Sequence, residues 1–252
     1  MNRTGLVVAL VVAVLVGVTF GLYPELDLKI SALFFDPVRW NPAKFGWPRW
    51  NFVRYVAVGL TVLLAAPAGL ALIMKLFRPR AHLLIPGRAV LFLLATLALG
   101  PGLLTNLILK DHWGRSRPVD VVQFGGKEAF GPWWDWRNRC YGNCSFVSGE
   151  SSGAFWTLAP AALAPPSWRP LATGAAILFG IGISALRMAV GAHFFTDAVF
   201  AGVFTFLLVW LVHGLLYRWR RTSITDQDVE RAIERMSIIA WWQRKRGRPE
   251  QS

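Results

Sequence analysis

Six apolar runs, separated by more polar stretches of unequal length, constrain this chain more than any other feature. They fall at about 6–23, 55–77, 89–109, 147–164, 171–190 and 198–217. Several approach the roughly 20 apolar residues that a helix needs to cross the hydrocarbon core of a bilayer. The fourth and fifth runs carry more small and polar residues than the others. The chain is 54% hydrophobic and holds 13 Trp, beyond the apolar share of an ordinary soluble domain. The sequence therefore predicts an all-α integral membrane protein with six spans, and speaks against a soluble helical domain.

The formal net charge is +13, but its placement is more informative than its sum. Arg78, Arg80 and Arg88 crowd the second loop, and Arg169 sits in the short fourth loop. The stretch after Tyr217 carries Arg218, Arg220, Arg221, Arg231, Arg235, Arg244, Lys245, Arg246 and Arg248. The positive-inside rule assigns all of these to the cytoplasm. An even number of spans then puts both termini there, with loops one, three and five outside. Loops one and three also hold Lys and Arg, so the bias is not clean. The first run has Arg3 as a basic start, but it is longer than a signal core and lacks a clear small-x-small cleavage site. It is expected to remain as an uncleaved first helix. Three regions are expected: 1–54 as first helix and outer loop, 55–217 as membrane core, and 218–252 as a basic cytoplasmic tail.

A basic tail beside a membrane points to anionic lipid headgroups rather than to nucleic acid. Residues 226–242, ending in Trp241 and Trp242, fit an amphipathic surface helix; a solvated tail that only fixes topology is the other reading.

The spacing Arg187, five residues, His193, three residues, Asp197 lies between two apolar runs, where charge is costly and tends to be kept for a purpose. On a helix, His193 and Asp197 would lie one turn apart on one face. Asp197 could then accept a hydrogen bond from one imidazole nitrogen and leave the other free to attack. Arg187 adds a planar fork suited to phosphate oxygens. This constellation points to phosphoryl transfer through a histidine.

Span three contains Gly100-Pro101-Gly102, which should kink or locally break it. It ends in Thr105, Asn106 and Lys110, followed by Asp111-His112-Trp113-Gly114-Arg115-Ser116-Arg117-Pro118. Three cations in eight residues, with a Gly and a Pro, read as a loop shaped to cradle an anion. Cys144-Ser145-Phe146-Val147-Ser148-Gly149-Glu150-Ser151-Ser152-Gly153 opens span four. Small residues there leave backbone N–H groups open to an anion, or ease helix packing. Glu150 favours the first reading, because an acid entering a span is expensive. Between these clusters, Trp133, Trp134 and Trp136 suit the headgroup region. Cys140 and Cys144, the only cysteines, could close a small disulfide ring in an oxidising compartment. They make a poor zinc site, lacking nearby His or Asp partners.

These residues resemble the signature of the type 2 phosphatidic acid phosphatase (PAP2) superfamily, which reads Lys-x6-Arg-Pro, Pro-Ser-Gly-His and Ser-Arg-x5-His-x3-Asp. Lys110, Arg117 and Pro118 match the first part; Arg187, His193 and Asp197 match the third, although Ala185 and Leu186 separate Ser184 from the arginine. The middle part reads Val147-Ser148-Gly149-Glu150, so Ser-Gly survives while Pro and His are replaced. The resemblance covers roughly 55–217.

The resemblance implies a six-helix membrane bundle with its site near the outer interface. It implies His193 as the nucleophile forming a phosphohistidine, oriented by Asp197. Lys110, Arg117 and Arg187 would bind phosphoryl oxygens, assisted by Ser148 and the Gly149 N–H, with no metal or other cofactor. A loose transition state mainly needs positioning and positive charge, which three cations can supply. The family's middle histidine is taken to protonate the leaving alkoxide, and here three readings stay open. Glu150 substitutes for it, if burial raises its pKa; His112 supplies the proton; or the enzyme is slow or prefers a leaving group needing little protonation. The expected activity is a lipid phosphate phosphatase of the bacterial inner membrane working at its periplasmic face. Lipid A phosphate is favoured over undecaprenyl diphosphate, phosphatidylglycerophosphate and phosphatidic acid. A silent lipid-binding homologue is the alternative from another class. The expected partners are a membrane lipid substrate and the bilayer, and the oligomeric state is not legible.

Overall fold

The computed structural model describes residues 3–37, 48–136, 140, 142–222 and 224–237. Its elements are α1 Arg3–Leu22, α2 Glu25–Ala32, α3 Pro48–Phe77, α4 Gly87–Leu97, a π-helical stretch Ala98–Leu109 and α5 Lys110–His112. Then follow α6 Gly149–Phe155, α7 Leu158–Leu163, α8 Arg169–Ala189, α9 Phe195–His213 with a π-helical end Gly214–Arg218, and α10 Asp226–Met236. Among the described residues, extended pairing is limited to a bridge between Val121 and Glu128. A chain in lipid must satisfy its backbone polar groups within each segment, which a helix does.

Five helical stretches are long and apolar enough to cross a membrane: Arg3–Leu22, Phe52–Phe77, Gly87–His112, Arg169–Ala189 and Phe195–Arg218. α1 leaves Val7, Val8, Val14 and Leu15 more than half exposed, an outer surface suited to lipid chains and not to water. The remaining expected span, 147–164, is two short helices, α6 and α7, interrupted at Trp156 and Thr157.

The chain divides into two compact units. The first comprises Met1–Thr61 and Thr96–Trp210. Gly100-Pro101-Gly102 there widens the third span into the π-helical stretch rather than breaking it. Pro101 has no N–H to give the preceding turn, and its own carbonyl accepts from Asn106 Nδ2 at 2.6 Å. A chain of hydroxyls crosses the interior: Thr105 Oγ1 donates to Ser152 Oγ at 3.0 Å, and Ser152 Oγ meets Thr205 Oγ1 at 2.8 Å. Such bonds join helices where apolar contact alone gives little drive. Gly180 of α8 admits the Phe155 ring of α6, which any Cβ there would overlap. Leu109, Phe146, Val147, Phe200 and Ala201 form a core beside these contacts, covered by Trp113 and Trp133. Trp133 thus packs inward, whereas Trp134 and Trp136 stay exposed as headgroup anchors would.

The second unit comprises Val62–Ala95 and Leu211–Ser252. In it α10 begins with a capping box between Thr225 and Asp228 and buries Val229 and Ile233, one turn apart. Its acids pair with the chain's own cations: Lys75 Nζ lies 2.8 Å from Glu230 and 2.6 Å from Glu234, and Arg88 lies 3.2 Å from Asp226. The helix is therefore docked on its own unit. Trp241, Trp242 and Arg244 to Arg248 lie outside the described residues.

Candidate active site

All the residues of this site belong to the first unit. His193 precedes α9 in a turn, and Asp197 falls in the first turn of that helix. Both are fully buried. The direct hydrogen bond expected between them is not made, because His193 Nδ1 stands 3.9 Å from Asp197 Oδ2. His193 Nδ1 lies instead 2.8 Å from the Ser145 carbonyl oxygen. A carbonyl only accepts, so Nδ1 carries the proton and Nε2 keeps its lone pair in the neutral ring. Burial pushes the His193 pKa down to about 4, with Arg187 acting the same way and Glu150 against them.

Asp197 takes a place behind the histidine. It accepts from Ser145 Oγ at 2.5 Å, from the Phe194 N–H at 2.8 Å and from Arg115 Nη1 at 2.5 Å. Arg115, in the loop read as an anion cradle, therefore points inward. Its Nη2 donates to Asp27 Oδ2 at 2.7 Å and its Nε to the Gly131 carbonyl at 3.0 Å. Asp27, from α2, also accepts from the Thr196 hydroxyl at 2.6 Å and the Thr196 N–H at 3.1 Å. One fully buried guanidinium thus bridges two buried carboxylates and fixes the start of α9.

The other two cations of that loop converge on Asn143. Arg117 donates to the Asn143 carbonyl from Nη2 at 2.7 Å and from Nε at 3.2 Å, while Lys110 Nζ donates to Asn143 Oδ1 at 3.3 Å. Asn143 has φ 50°, a left-handed conformation that asparagine tolerates better than most residues. A disulfide between Cys140 and Cys144 encloses it in a short ring. Lys110 lies so close to Gly149 that a Cβ there would come within 3.1 Å of Nζ and 2.7 Å of Asn106 Oδ1, so a larger residue would displace both side-chain ends.

Glu150 stands at the centre. Its Oε1 is 3.1 Å from Arg54 Nε of α3 and 3.5 Å from Arg187 Nη2 of α8, and its Oε2 is 3.7 Å from His193 Nε2. Glu150 Oε2, His193 Nε2 and Arg187 Nε are buried without hydrogen-bond partners. The neighbouring Arg54 and Arg187 favour its ionised form. That charge state opposes proton donation while the site holds no phosphate. Beside Arg54 and Arg187 opens a groove with Val53, Ala57, Ile183, Leu186 and Val190 on its walls.

Two expected residues are placed differently. Ser148 caps α6, its hydroxyl accepting from the Ser151 N–H at 3.3 Å and the Ser151 hydroxyl at 2.8 Å, so it serves its own helix. His112 is exposed, and its Nδ1 lies 2.9 Å from the Ile108 carbonyl one turn back.

The model of the PAP2 superfamily matches residues 89–221, more than half of the chain and a stretch that includes the positions of all three motif parts. The chain belongs to the PAP2 superfamily. Lipid A 4'-phosphatase of Francisella tularensis subsp. novicida is 34% identical over 224 residues, covering 86% of this chain and 98% of that protein. Lipid A 4'-phosphatase of Rhizobium leguminosarum is 40% identical over 106 residues, 42% of this chain and 46% of its own length. The corresponding protein of Rhizobium etli is 40% identical over 104 residues, 41% and 40% of the two chains. No solved structure matches. The chain is thus a PAP2-type phosphoric ester hydrolase, a lipid phosphatase of a bacterial membrane.

The PAP2 motifs account for Lys110, Arg117, Arg187, His193 and Asp197. Four further residues of the site lie outside them: Arg54, Asp27, Asn143 and Ser145. Ser145 falls within the small-residue cluster at span four, and Asp27 is an acid close behind an apolar span; both carry a signal in the sequence. Arg54 and Asn143 carry none.

Proposed function

We propose that this protein removes a phosphate from a lipid headgroup, with a lipid A phosphate as the favoured substrate, through a phosphohistidine on His193. The observation that carries this reading is His193 Nε2: buried, unpartnered, and aimed at an anion held by Arg187 and Arg54. The preference for lipid A rests on the relatives, named lipid A 4'-phosphatases, of which one aligns along nearly its whole length. A groove with apolar walls leading to two arginines suits an amphiphilic phosphate ester.

In the first step the Nε2 lone pair bonds to phosphorus, the bond from phosphorus to the headgroup oxygen breaks, and that oxygen takes up a proton. In the second, a water oxygen bonds to phosphorus, the P–N bond breaks, and inorganic phosphate leaves with the imidazole neutral again. Arg187, Lys110 and Arg117 offset charge on the transferring phosphoryl oxygens, the main demand of a loose transition state. On this reading no metal is required. Ser145 and Asp197 keep Nδ1 protonated and stabilise the positive charge that develops on the ring.

The leaving oxygen's proton comes from Glu150 in this reading. An incoming phosphate brings negative charge that offsets Arg187 and Lys110, so the carboxyl can take and then donate a proton. The proposed topology is a six-helix bundle with α6 and α7 as its short sixth member. The Arg-rich second loop, the fourth loop with Arg169 and both termini are cytoplasmic, and the site opens at the periplasmic face. The test is inorganic phosphate release by detergent-purified protein from a panel of lipid phosphates in EDTA, with His193→Ala alongside. Release that survives EDTA and disappears in the variant is expected; release that persists in His193→Ala would sink the mechanism.

A further inference from the structure

The phosphate-free site is not an open cradle. A carboxylate already sits where cations and nucleophile converge, and it closes the nucleophile off: His193 has no exposed surface, and Nε2 faces Glu150 Oε2 at 3.7 Å. The groups around that carboxylate are those a phosphoryl group would need. Arg187 Nη2 approaches at 3.5 Å with its Nε still unpartnered, and Lys110 is held beside the neighbouring Gly149. A phosphate dianion and this carboxylate cannot share the place, because like charges at such separations repel strongly where little water screens them. One of them has to leave.

Arg54 offers the direction. It comes from α3, outside the three-part motif, and binds the same Oε1 at 3.1 Å. Its side chain is 47% exposed, against 14% for Arg187 and 12% for Glu150. Arg54 therefore stands at the rim, and a rotation of Glu150 away from His193 can keep this contact while breaking the other two.

We propose that Glu150 is a built-in counter-anion exchanged for the substrate's phosphate, and that Arg54 is the positioning residue that holds Glu150 at the rim during the exchange. This rests on the phosphatase reading above for its substrate, but not for its geometry. The exchange leaves the partly buried Arg187 with a counter-charge in the empty enzyme, where unpaired charge is costly. It also gives the product a competitor: as the carboxylate returns to the cradle it displaces inorganic phosphate. While displaced, Glu150 is partnered only by an exposed arginine, a weak pairing, and lies free of the cations that hold it ionised.

The test is binding of inorganic phosphate to the full-length detergent-purified protein by calorimetry, which needs no turnover. Four proteins are compared: wild type, Glu150→Gln, Arg54→Gln and the double variant, each checked for a cooperative thermal transition; Glu150→Ser replaces Glu150→Gln if the latter lacks one. Without its internal competitor, the Glu150→Gln protein is expected to bind phosphate at least about tenfold more tightly than wild type. Arg54→Gln is expected to weaken binding several-fold in the wild-type background and to change nothing in the Glu150→Gln background, the signature of coupled residues. Phosphate bound no more tightly by Glu150→Gln would overturn the exchange. Equal weakening by Arg54→Gln in both backgrounds would make Arg54 a direct phosphate ligand and overturn its positioning role. The expected binding pattern in a protein that hydrolyses no lipid phosphate would support the exchange and sink the phosphatase reading alone.

Discussion

The carbonyl oxygen of Ser145 lies 2.8 Å from His193 Nδ1 and so decides which imidazole nitrogen is free. The Ser145 hydroxyl meanwhile binds Asp197 at 2.5 Å. One residue therefore sets both the tautomer of the nucleophile and the position of the carboxylate behind it, and the arrangement is worked out in the neutral ring.

A pH profile tests that neutrality. Burial takes His193 from an ordinary value of 6.5 down to about 4, so the free base is present at neutral pH. The acid limb of kcat/KM is expected near pH 4, once the substrate's own second ionisation near pH 6 is allowed for. A limb near 6.5 belonging to the enzyme would mean that His193 titrates as if in water. Stability follows the same sign. The unfolded histidine takes up a proton below about 6.5 that the folded one refuses, so the contribution is present above that pH and is lost as pH falls towards 4. His193→Gln should flatten this part of the stability curve.

Arg115 predicts a different kind of loss. It is the cation shared by Asp27 and Asp197, each fully enclosed. Arg115→Met leaves two buried carboxylates facing each other without a counter-charge, an uncompensated state worth about 3–5 kcal/mol. Thermal unfolding in detergent should show a lower Tm, and Asp27→Asn added to Arg115→Met should recover part of it. A variant as stable as wild type would show that the bridge contributes nothing net.

The ring closed by Cys140 and Cys144 holds Asn143, which binds both Lys110 and Arg117. Replacing both cysteines by serine removes a five-residue loop constraint, about 2 kcal/mol on the chain-entropy estimate. The larger expected effect is on binding: KM and the phosphate inhibition constant should rise together while kcat changes less. Asn143→Ala should reproduce the rise in KM without the loss of stability. If neither variant alters KM, Asn143 does not position the two cations.

What the sequence reveals of this site depends on whether the signal is local. Lys110 and Arg117, or Arg187, His193 and Asp197, lie within a few residues of one another, and spacing alone groups them. The helices are equally legible, since long apolar runs have few other solutions in lipid. The direction in which a charged residue faces is not local. Arg115 sits between two phosphate-binding candidates and yet turns inward, because Asp27 from a distant helix is there to meet it. Ser148 keeps its place in the motif, but its hydroxyl goes to the nearest orphan N–H, that of Ser151, as helix starts commonly arrange. Asp197 is four residues from His193, but a turn before α9 breaks the helical geometry that spacing suggests. Arg54 is invisible for the simplest reason: only the packing of α3 beside α8 brings it to Glu150.

The double role given to Glu150 makes its own prediction, read through the leaving group. A proton donor matters most when the departing oxygen is strongly basic, as a sugar or glycerol alkoxide is, and little for an activated aryl phosphate. Glu150→Gln should therefore lower kcat on a lipid A phosphate by about a hundredfold or more, yet leave turnover of an aryl phosphate within a few-fold of wild type. Glu150→His restores a group that titrates near neutrality and should recover much of the lipid activity. Equal losses on both substrates would mean that Glu150 acts on phosphorus binding and not on the leaving oxygen. Unchanged turnover of both by Glu150→Gln would remove Glu150 from proton transfer, and leave solvent or the exposed His112 to protonate the headgroup.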